Sequence, residues 1–346
     1  MNRIQFNIGN KTIGNSRGCL IQSMSDIKTS KTEENITMTK ELIPSGLDMM
    51  RFSVLDIDDA KALKVIKDNI DITIIADIHF DYRLALLALD AGVDKVRINP
   101  GNMQGEAHIR EIIDSAKRHG AAIRIGINSG SLNRYRGKTD NQEDDIFLAL
   151  NDMLSIFKEE HFEKLVLSLK TSDPLLLESL YRRAYKEYEY PLHLGLTESG
   201  FSSLGSIRSA ISIYPLLKDG IGDTIRVSLS DNRIEEIRAC KELLRLSNRR
   251  SDIPELIVCP GCGRTLIPLN EISRIVLSHL DHIFKKIKVA VMGCPVNGIG
   301  EAKDADYGIA GSGKENIFLL FSKGKEIGLF EKEEALNKLF SLIDNY

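Results

Sequence analysis

The feature that most constrains the fold is a regular alternation of short apolar runs with longer segments of helical period. Eight apolar runs are candidates for strands, and they cover residues 20–23, 49–54, 73–79, 95–99, 122–128, 164–170, 192–198 and 224–230. Each run is followed by a segment long enough for a helix, which is typical of repeated β-α units around a parallel sheet. Eight such units within 248 residues favour a TIM barrel over an open doubly wound sheet.

The chain is too long for one barrel. A barrel takes ~250 residues, whereas this sequence has 346, so about a hundred residues remain for a second domain. We therefore predict an α/β chain with a TIM (β/α)8 barrel over residues 1–248 and a smaller α+β domain over residues 249–346. Two helix starts within the barrel are predicted from Asp173 followed by Pro174 and from Asp231.

Charge and cysteine usage exclude several classes of protein. A net charge of -3 and a pI near 6.2 give no reason to expect a nucleic-acid partner. There is no run of about 18 apolar residues and no signal peptide, so no membrane association is expected. Cys19 and Cys240 lie far in sequence from the other three cysteines, which argues against a secreted disulfide framework. We expect a reducing, cytoplasmic location.

The C-terminal part carries a metal-binding pattern. Cys259 and Cys262 are separated by a proline and a glycine, so a tight turn can direct both sulfurs to one centre, and Cys294 adds a third thiolate from a second loop. A zinc site completed by His279 or His282 is one interpretation. These histidines lie in a segment of helical period, however, where they are more simply placed on an exposed helix end. An iron-sulfur cluster fits the pattern better.

The predicted strand ends carry a second group of polar residues. In a TIM barrel the chemistry takes place at the carboxyl ends of the strands, and residues two apart on a strand point the same way. Five cations and two carboxylates are expected to meet at this mouth, and leaving such an excess buried and unpaired would be costly. An anionic ligand is therefore expected. The residues are Arg51, Asp77, His79, Arg97, Asn99, Arg124, Asn128, Ser168, Lys170, Glu198, Arg226 and Ser228.

With these motifs in order, the chain resembles the family of 4-hydroxy-3-methylbut-2-enyl diphosphate synthases in its two-domain bacterial form. These oxidoreductases are iron-sulfur enzymes of the methylerythritol phosphate pathway of isoprenoid biosynthesis. The resemblance extends over essentially the whole chain. It is carried by Gln22-Ser23-Met24, Ala76-Asp77-Ile78-His79-Phe80, Arg97-Ile98-Asn99-Pro100-Gly101-Asn102, Arg124-Ile125-Gly126-Ile127-Asn128, Gly130-Ser131-Leu132, Ser168-Leu169-Lys170, Gly195-Leu196-Thr197-Glu198 and the cysteine motifs.

The resemblance implies a reaction and its site residues. The family reduces 2-C-methyl-D-erythritol 2,4-cyclodiphosphate by two electrons, using ferredoxin or flavodoxin as the electron donor. It implies a 4Fe-4S cluster bound by Cys259, Cys262, Cys294 and Glu301, and a catalytic role for Glu301 as the exchangeable ligand. It further implies that the diphosphate binds to Arg51, Arg97, Arg124, Lys170, Arg226 and Ser228, with Glu198 as an acid at the mouth. Asp77, His79, Asn99 and Asn128 are expected to join the substrate site.

Two other functional classes stay open at this point. Lys170, at the end of the sixth predicted strand, is placed where a Schiff-base lysine would act, as in a non-redox aldolase or lyase with a zinc-stabilised second domain. A third possibility is a binding module that senses the loss of its cluster. The colour of anaerobically purified protein distinguishes these hypotheses, because a cluster is brown and zinc is colourless.

The topology also predicts a homodimer with a shared site. The helix over residues 231–246 leads away from the barrel mouth by roughly 24 Å at 1.5 Å per residue. The following polar segment, residues 247–254, reaches at most about 28 Å and must also pass the outer helices. We therefore expect each cluster domain to cover the barrel of a partner chain rather than its own.

Overall fold

The computed structural model describes residues 3–14, 18–99, 103, 105–132, 135–197, 200–296, 300 and 302–346. The chain divides into two compact units, residues 1–250 and residues 251–346. The predicted site residues Glu198 and Glu301 lie outside the described residues.

The first unit is built on an eight-stranded parallel sheet, in the order β8-β7-β6-β5-β4-β3-β10-β9. A parallel bridge between Leu167 and Leu192 joins the two ends of this order, which gives the predicted barrel. The strands of this unit are β1 Phe6–Ile8, β2 Lys11–Ile13, β3 Leu20–Met24, β4 Met49–Val54, β5 Thr73–Ile78, β6 Lys95–Ile98, β7 Ala122–Asn128, β8 Leu165–Lys170, β9 His193–Leu194 and β10 Thr224–Ile225.

The helices surround this sheet as the sequence pattern predicts. They are α1 Thr32–Leu42, α2 Ile57–Asn69, α3 Tyr82–Asp90, α4 Glu106–His119, α5 Gln142–Glu159, α6 Pro174–Glu187, α7 Ser202–Lys218 and α8 Arg233–Leu246. Asp173 caps α6 as predicted, since its side chain accepts hydrogen bonds from Leu175 N and Leu176 N. The prediction for α8 was one residue early, because the cap is Asn232 and not Asp231. In the described ranges, no helix combines the length and apolar character needed to cross a membrane.

The last two strands of the barrel are much shorter than predicted. The apolar pattern indicates residues 192–198 and 224–230, whereas the ladder covers only two residues in each strand. The backbone after β10 finds other partners, because Val227 N donates to Cys240 Sγ at 3.3 Å and Leu229 N donates to Glu236 Oε1 at 3.0 Å. Both acceptors lie on α8, so the helix replaces a neighbouring strand at this point.

An antiparallel hairpin formed by β1 and β2 closes one end of the barrel. Its buried residues Ile8 and Ile13 pack in one cluster with Met49, Ile75, Ala122 and Val166. Met49 and Ala122 are the first residues of their strands, so the hairpin covers the amino-terminal end. This leaves the carboxyl-terminal end for the site.

The second unit is a mixed α+β structure. Its sheet has the order β11-β12-β13-β14-β15, in which the first three strands are parallel and the last two pairs are antiparallel. Apolar residues of the sheet, of the helix Leu269–Leu280 and of the helix Lys332–Asp344 share one buried core that includes Val276, Val291 and Leu339. The elements are β11 Glu255–Val258, α9 Leu269–Leu280, β12 Lys288–Met292, β13 Tyr307–Gly311, β14 Ile317–Ser322, β15 Lys325–Glu331 and α10 Lys332–Asp344.

Candidate active site

Asp77 anchors the first part of the barrel mouth. It lies on β5 and is 2% exposed, between Arg51 on β4 and Arg97 on β6. Arg51 Nη2 lies 3.6 Å from Asp77 Oδ2, Arg97 Nη1 lies 3.3 Å from Oδ1, and His79 Nε2 lies 3.3 Å from Oδ2. Burial alone would raise the pKa of Asp77, but Arg51, the hydrogen bond with His79 and Arg97 hold that pKa well below its usual range. One ionised carboxylate therefore orients three basic groups.

A glycine on β7 makes room for Arg97. Arg97 Nη2 donates to the carbonyl oxygen of Gly126 at 3.1 Å. A Cβ atom at position 126 would lie only 2.4 Å from Arg97 Nε, which is far inside van der Waals contact. The glycine between Arg124 and Asn128 is thus required by the guanidinium of the neighbouring strand.

Arg124 is a fully buried cation with an incomplete set of partners. Its side chain has no exposed surface, and its Nη1 donates to Gln22 Oε1 at 3.1 Å. Within the described part of the chain, neither Nε nor Nη2 of Arg124 has a hydrogen-bond partner. Burial, followed by repulsion from Arg51 and Arg97, lowers the pKa of Arg124 well below its usual range. Such a group is stabilised by an anion that accepts its remaining N–H donors.

Lys170 and Arg226 complete the cationic mouth from β8 and from the segment after β10. Lys170 has no carboxylate partner among the residues that the structure describes, and burial together with Arg51 and Arg124 lowers its pKa well below the usual value. Arg226 Nη2 pairs with Glu236 Oε1 on α8 at 3.2 Å. Glu236, which sequence reasoning did not single out, therefore supplies the carboxylate that pairs with Arg226.

Among the described residues at the barrel mouth, cations outnumber carboxylates. Arg51, Arg97, Arg124, Lys170 and Arg226 are each at most 9% exposed, and the buried carboxylates that pair with members of this group are Asp77 and Glu236. The polar residues Asn99, Asn128 and Ser228 also follow or end their strands at this edge. The arrangement can bind an anion with several negative charges, because charge-assisted hydrogen bonds would converge on it from five strand ends.

Sequence reasoning missed several buried polar residues. Lys95 and Arg97 are two apart on β6. The alternation of side chains along a strand that places Arg97 in the barrel interior therefore also predicts Lys95 there. Lys95 is fully buried with its Nζ 3.8 Å from Met49 Sδ, and burial lowers its pKa well below the usual value. His193 on β9 is also fully buried, and its Nδ1 lies 2.8 Å from Thr224 Oγ1. No pattern in the sequence marks His193.

The second unit brings Cys259 and Cys294 to the same edge of its sheet. Cys259 directly follows β11 and Cys294 follows β12, and these strands are parallel neighbours with Val258 opposite Val291. Cys259 N donates to Val291 O at 3.2 Å, and Gly293 N donates to Cys259 Sγ at 3.0 Å. The backbone thus already supplies an N–H donor to this sulfur, and hydrogen bonds of this kind orient thiolate ligands and tune the metal centre.

Cys262 is placed by a tight turn after Cys259. Cys262 N donates to Thr265 Oγ1 at 3.1 Å and Thr265 N donates to the carbonyl oxygen of Cys262 at 2.9 Å. Gly261 has a φ of 76°, a conformation that favours glycine over any residue with a side chain. Cys262 is exposed, Cys259 is half-buried and Cys294 is buried. Three thiols on adjacent loops suit a cluster that extends from the edge of the sheet.

The described residues contain no group of three His, Cys, Asp or Glu side chains that is already arranged around one point. His279, considered above as a zinc ligand, is engaged elsewhere. Its ring stacks on Phe340 at 4.1 Å between centroids, and its Nε2 lies 2.9 Å from Asp344 Oδ1 on α10. His282 is exposed. The geometry therefore favours a centre built from the three thiols over one completed by His279.

Comparisons with known proteins agree with both units. The family model described as the GcpE TIM-barrel domain matches residues 3–241, and the GcpE protein C-terminal domain matches residues 255–345. A protein of Caldanaerobacter subterraneus subsp. tengcongensis is 43% identical over 98% of this chain and 96% of its own length. One of Clostridium perfringens is 42% identical over 97% of each chain. Both are named 4-hydroxy-3-methylbut-2-en-1-yl diphosphate synthase (flavodoxin).

Solved structures add support for the barrel alone. The dihydropteroate synthase of Yersinia pestis superposes with a TM-score of 0.51 over 71% of this chain and 98% of its own, at 12% identity. The enzyme of Stenotrophomonas maltophilia gives a TM-score of 0.52 over 70% of this chain and 97% of its own, also at 12% identity. At this identity the similarity concerns the fold and not the chemistry.

Proposed function

The chain belongs to the GcpE family, and we propose that it is a 4-hydroxy-3-methylbut-2-enyl diphosphate synthase. The enzyme opens the ring of 2-C-methyl-D-erythritol 2,4-cyclodiphosphate, adds two electrons and releases one hydroxyl as water. The observation that carries the proposal is the buried cationic mouth, in which Arg124 retains N–H donors without partners among the described residues. Anaerobic turnover of the cyclic substrate by the purified protein tests it.

The cationic mouth would bind the diphosphate and hold it during C–O cleavage. Asp77 fixes the directions of Arg51 and Arg97, while Arg124, Lys170 and Arg226 approach from other strand ends. Asn99, Asn128 and Ser228 supply neutral polar groups beside them. Because these donors are held before the substrate arrives, they can stabilise charge that develops on the departing oxygen without first reorganising.

A 4Fe-4S cluster bound by Cys259, Cys262, Cys294 and Glu301 is the proposed electron source. When bound, such a cluster supplies single electrons at low potential. The support lies in three thiols on adjacent loops of one sheet edge and in the N–H of Gly293 that points to Cys259 Sγ. Glu301 would provide a carboxylate that exchanges more readily than a thiolate. Glu198 is the candidate that holds the proton for the leaving hydroxyl.

The electron donor proposed for this chain is flavodoxin, as the names of the two relatives state for those proteins. Ferredoxin is the alternative, since both carriers deliver single electrons. We infer a cytoplasmic enzyme, because flavodoxin and reduced thiols both belong to a reducing compartment.

Substrate binding is expected to take up protons. Each phosphate of the cyclic diphosphate is fully ionised at neutral pH, so its negative charge should raise the pKa of Lys170 from its lowered value. The bound state then carries more protons than the free state, and the apparent affinity should fall as the pH rises above the lowered pKa of Lys170 in the free protein. Calorimetry in two buffers of different ionisation enthalpy measures the uptake. In Lys170→Met the uptake should be smaller, and an unchanged uptake would exclude Lys170 as its source.

We propose that the active enzyme is a homodimer in which each second unit covers the barrel of the partner chain. Exposed apolar side chains on the barrel and on the second unit support this proposal. Loops after the barrel strands expose Leu55, Phe80 and Phe201, which are 67%, 72% and 72% exposed. Around the cysteines, Leu266 and Val296 are 52% and 64% exposed. Covering these residues on association would remove apolar surface from water and keep water from a reduced intermediate.

Subunit exchange tests the shared site. A Cys262→Ala chain lacks a cluster ligand but keeps its barrel, and an Arg124→Ala chain keeps its cysteines but binds the substrate weakly. At substrate concentrations well below saturation, each homodimer should therefore have little activity. Mixed dimers are expected to recover one working site per pair, because one chain supplies the cluster and the other the barrel. Activity is measured after exchange proven by mass spectrometry. No recovery despite exchange, or a fully active monomer, would mean that each second unit serves its own barrel.

A further inference from the structure

Three consecutive residues of β3, Gln22, Ser23 and Met24, contact the cationic mouth in three different ways. None of them belongs to the predicted substrate-binding set. Because side chains alternate along a strand, Gln22 and Met24 face the interior, while Ser23 faces α8. Gln22 and Met24 are neutral acceptors beside guanidinium groups, and Ser23 is a neutral donor to the carboxylate that pairs with one of them.

Gln22 holds Arg124. Its Oε1 accepts from Arg124 Nη1 at 3.1 Å, and it is 1% exposed. This is a neutral oxygen where a carboxylate would have formed a buried ion pair. Arg124 is thus oriented from one side without being neutralised, and its Nε and Nη2 have no partner in the described ranges.

Ser23 acts on Arg226 through Glu236. Ser23 Oγ donates to Glu236 Oε2 at 2.9 Å, while Oε1 of the same carboxylate accepts from Arg226 Nη2 at 3.2 Å. Oε1 also accepts from Leu229 N at 3.0 Å and from Arg233 Nη1 at 2.6 Å. Glu236 is 1% exposed, so these bonds fix its position firmly.

Met24 lies between two guanidinium groups. Its sulfur accepts from Arg51 Nε at 3.1 Å and Nη2 at 2.6 Å, and from Arg226 Nη1 at 3.4 Å. A thioether is a weak, uncharged acceptor. It can therefore separate two like charges without reducing the positive charge that an anion would meet.

We propose that Gln22, Ser23 and Met24 form the positioning element of the anion site. Gln22 and Met24 orient Arg124, Arg51 and Arg226 as uncharged acceptors that leave the mouth positively charged, and Ser23 holds the Glu236 carboxylate in place beside Arg226. The inference deepens the proposed function and rests on it for the identity of the natural ligand. It predicts that a carboxylate in place of a neutral acceptor would raise the stability of the ligand-free protein and weaken its binding of anions. A residue with a purely structural role would not separate these two effects.

The decisive variant is Gln22→Glu. The new carboxylate should pair with Arg124, raise the thermal midpoint of the ligand-free protein and weaken anion binding about 10- to 100-fold. Binding is measured by calorimetry with inorganic pyrophosphate, and turnover separately with the cyclic diphosphate, where KM should rise much more than kcat falls. Gln142→Glu makes the same chemical change at the exposed first residue of α5 and should leave pyrophosphate binding unchanged.

Met24→Leu provides a second test if Gln22→Glu does not fold. Leucine keeps a similar volume but lacks the sulfur acceptor, so pyrophosphate binding should weaken severalfold while iron content stays the same. The proposal is contradicted if Gln22→Glu binds pyrophosphate as the wild type does, or if stability and binding fall together. Pyrophosphate binding needs no turnover. If the variants change pyrophosphate binding as predicted but the wild-type protein does not convert the cyclic diphosphate, the proposed reaction is wrong and this inference still stands.

Discussion

Replacing Cys262 with alanine is expected to lower the rate of cyclic diphosphate reduction at least about 1,000-fold, which corresponds to more than ~4 kcal/mol in the barrier. Cys262 is the exposed thiol of the turn after β11, and two thiols with Glu301 would not retain a four-iron cluster. Iron, sulfide and turnover are measured together under anaerobic conditions. The barrel should stay folded, since Cys262 lies in the separate second unit.

Cys19→Ala is the matched control for this variant. Cys19 is 1% exposed in the first unit, and burial raises its pKa, so it stays a protonated thiol that does not bind metal. Its replacement should leave the iron content unchanged.

Glu301→Ala should give an intermediate result, in which three thiolates retain a cluster that has lost one iron and most activity disappears. A fully active Cys262→Ala protein with wild-type iron content would remove this cysteine from the site.

Replacing Arg124 with alanine is expected to weaken substrate binding by roughly 1.5–3 kcal/mol, about 10- to 150-fold, without loss of the cluster. The reason is that Arg124 is fully buried and offers N–H donors that no described residue accepts. Arg226→Ala should have a similar effect, although it also leaves Glu236 without one of its cations. Calorimetric titration with the cyclic diphosphate measures both variants.

Arg118→Ala serves as the control for loss of a positive charge. Arg118 lies on the exposed last turn of α4, so its removal should change affinity only through weak, salt-screened attraction. If Arg124→Ala instead lost its iron and bound the substrate normally, the anion site would have to lie away from the barrel mouth.

The sequence predicted the strands that carry the mouth, because their pattern is local. The strands at residues 49–54 and 122–128 were predicted to the residue, and they position Arg51 and Arg124. Period-two alternation then correctly placed Arg51, Asp77 and Arg97 together, since parallel strands align their carboxyl ends. The spacing of the cysteines placed Cys259 and Cys294 on two loops, and the parallel pairing of β11 with β12 that brings these loops together is a finding of the structure.

Other features depend on contacts that no local pattern encodes. The hairpin of β1 and β2 was missed because two three-residue strands carry little periodicity, and it is stabilised by burying Ile8 and Ile13 against distant strands. The last two strands were predicted too long, and after β10 side chains of α8 accept the hydrogen bonds of the backbone that the prediction gave to the strand. Glu236 looked like an ordinary helix residue, and only packing against Ser23 and Arg226 gives it a role.

Anaerobic single-turnover reduction tests the central claim most directly. The protein is reconstituted with iron and sulfide and mixed with an equimolar amount of 2-C-methyl-D-erythritol 2,4-cyclodiphosphate. A measured excess of a chemical one-electron reductant stays present, because a cluster delivers single electrons and the reaction needs two. We predict formation of 4-hydroxy-3-methylbut-2-enyl diphosphate by the brown protein, with two equivalents of the one-electron reductant consumed per product, and none from the Cys262→Ala protein. A colourless zinc protein, or cyclic diphosphate that is bound but recovered unchanged, would contradict the account.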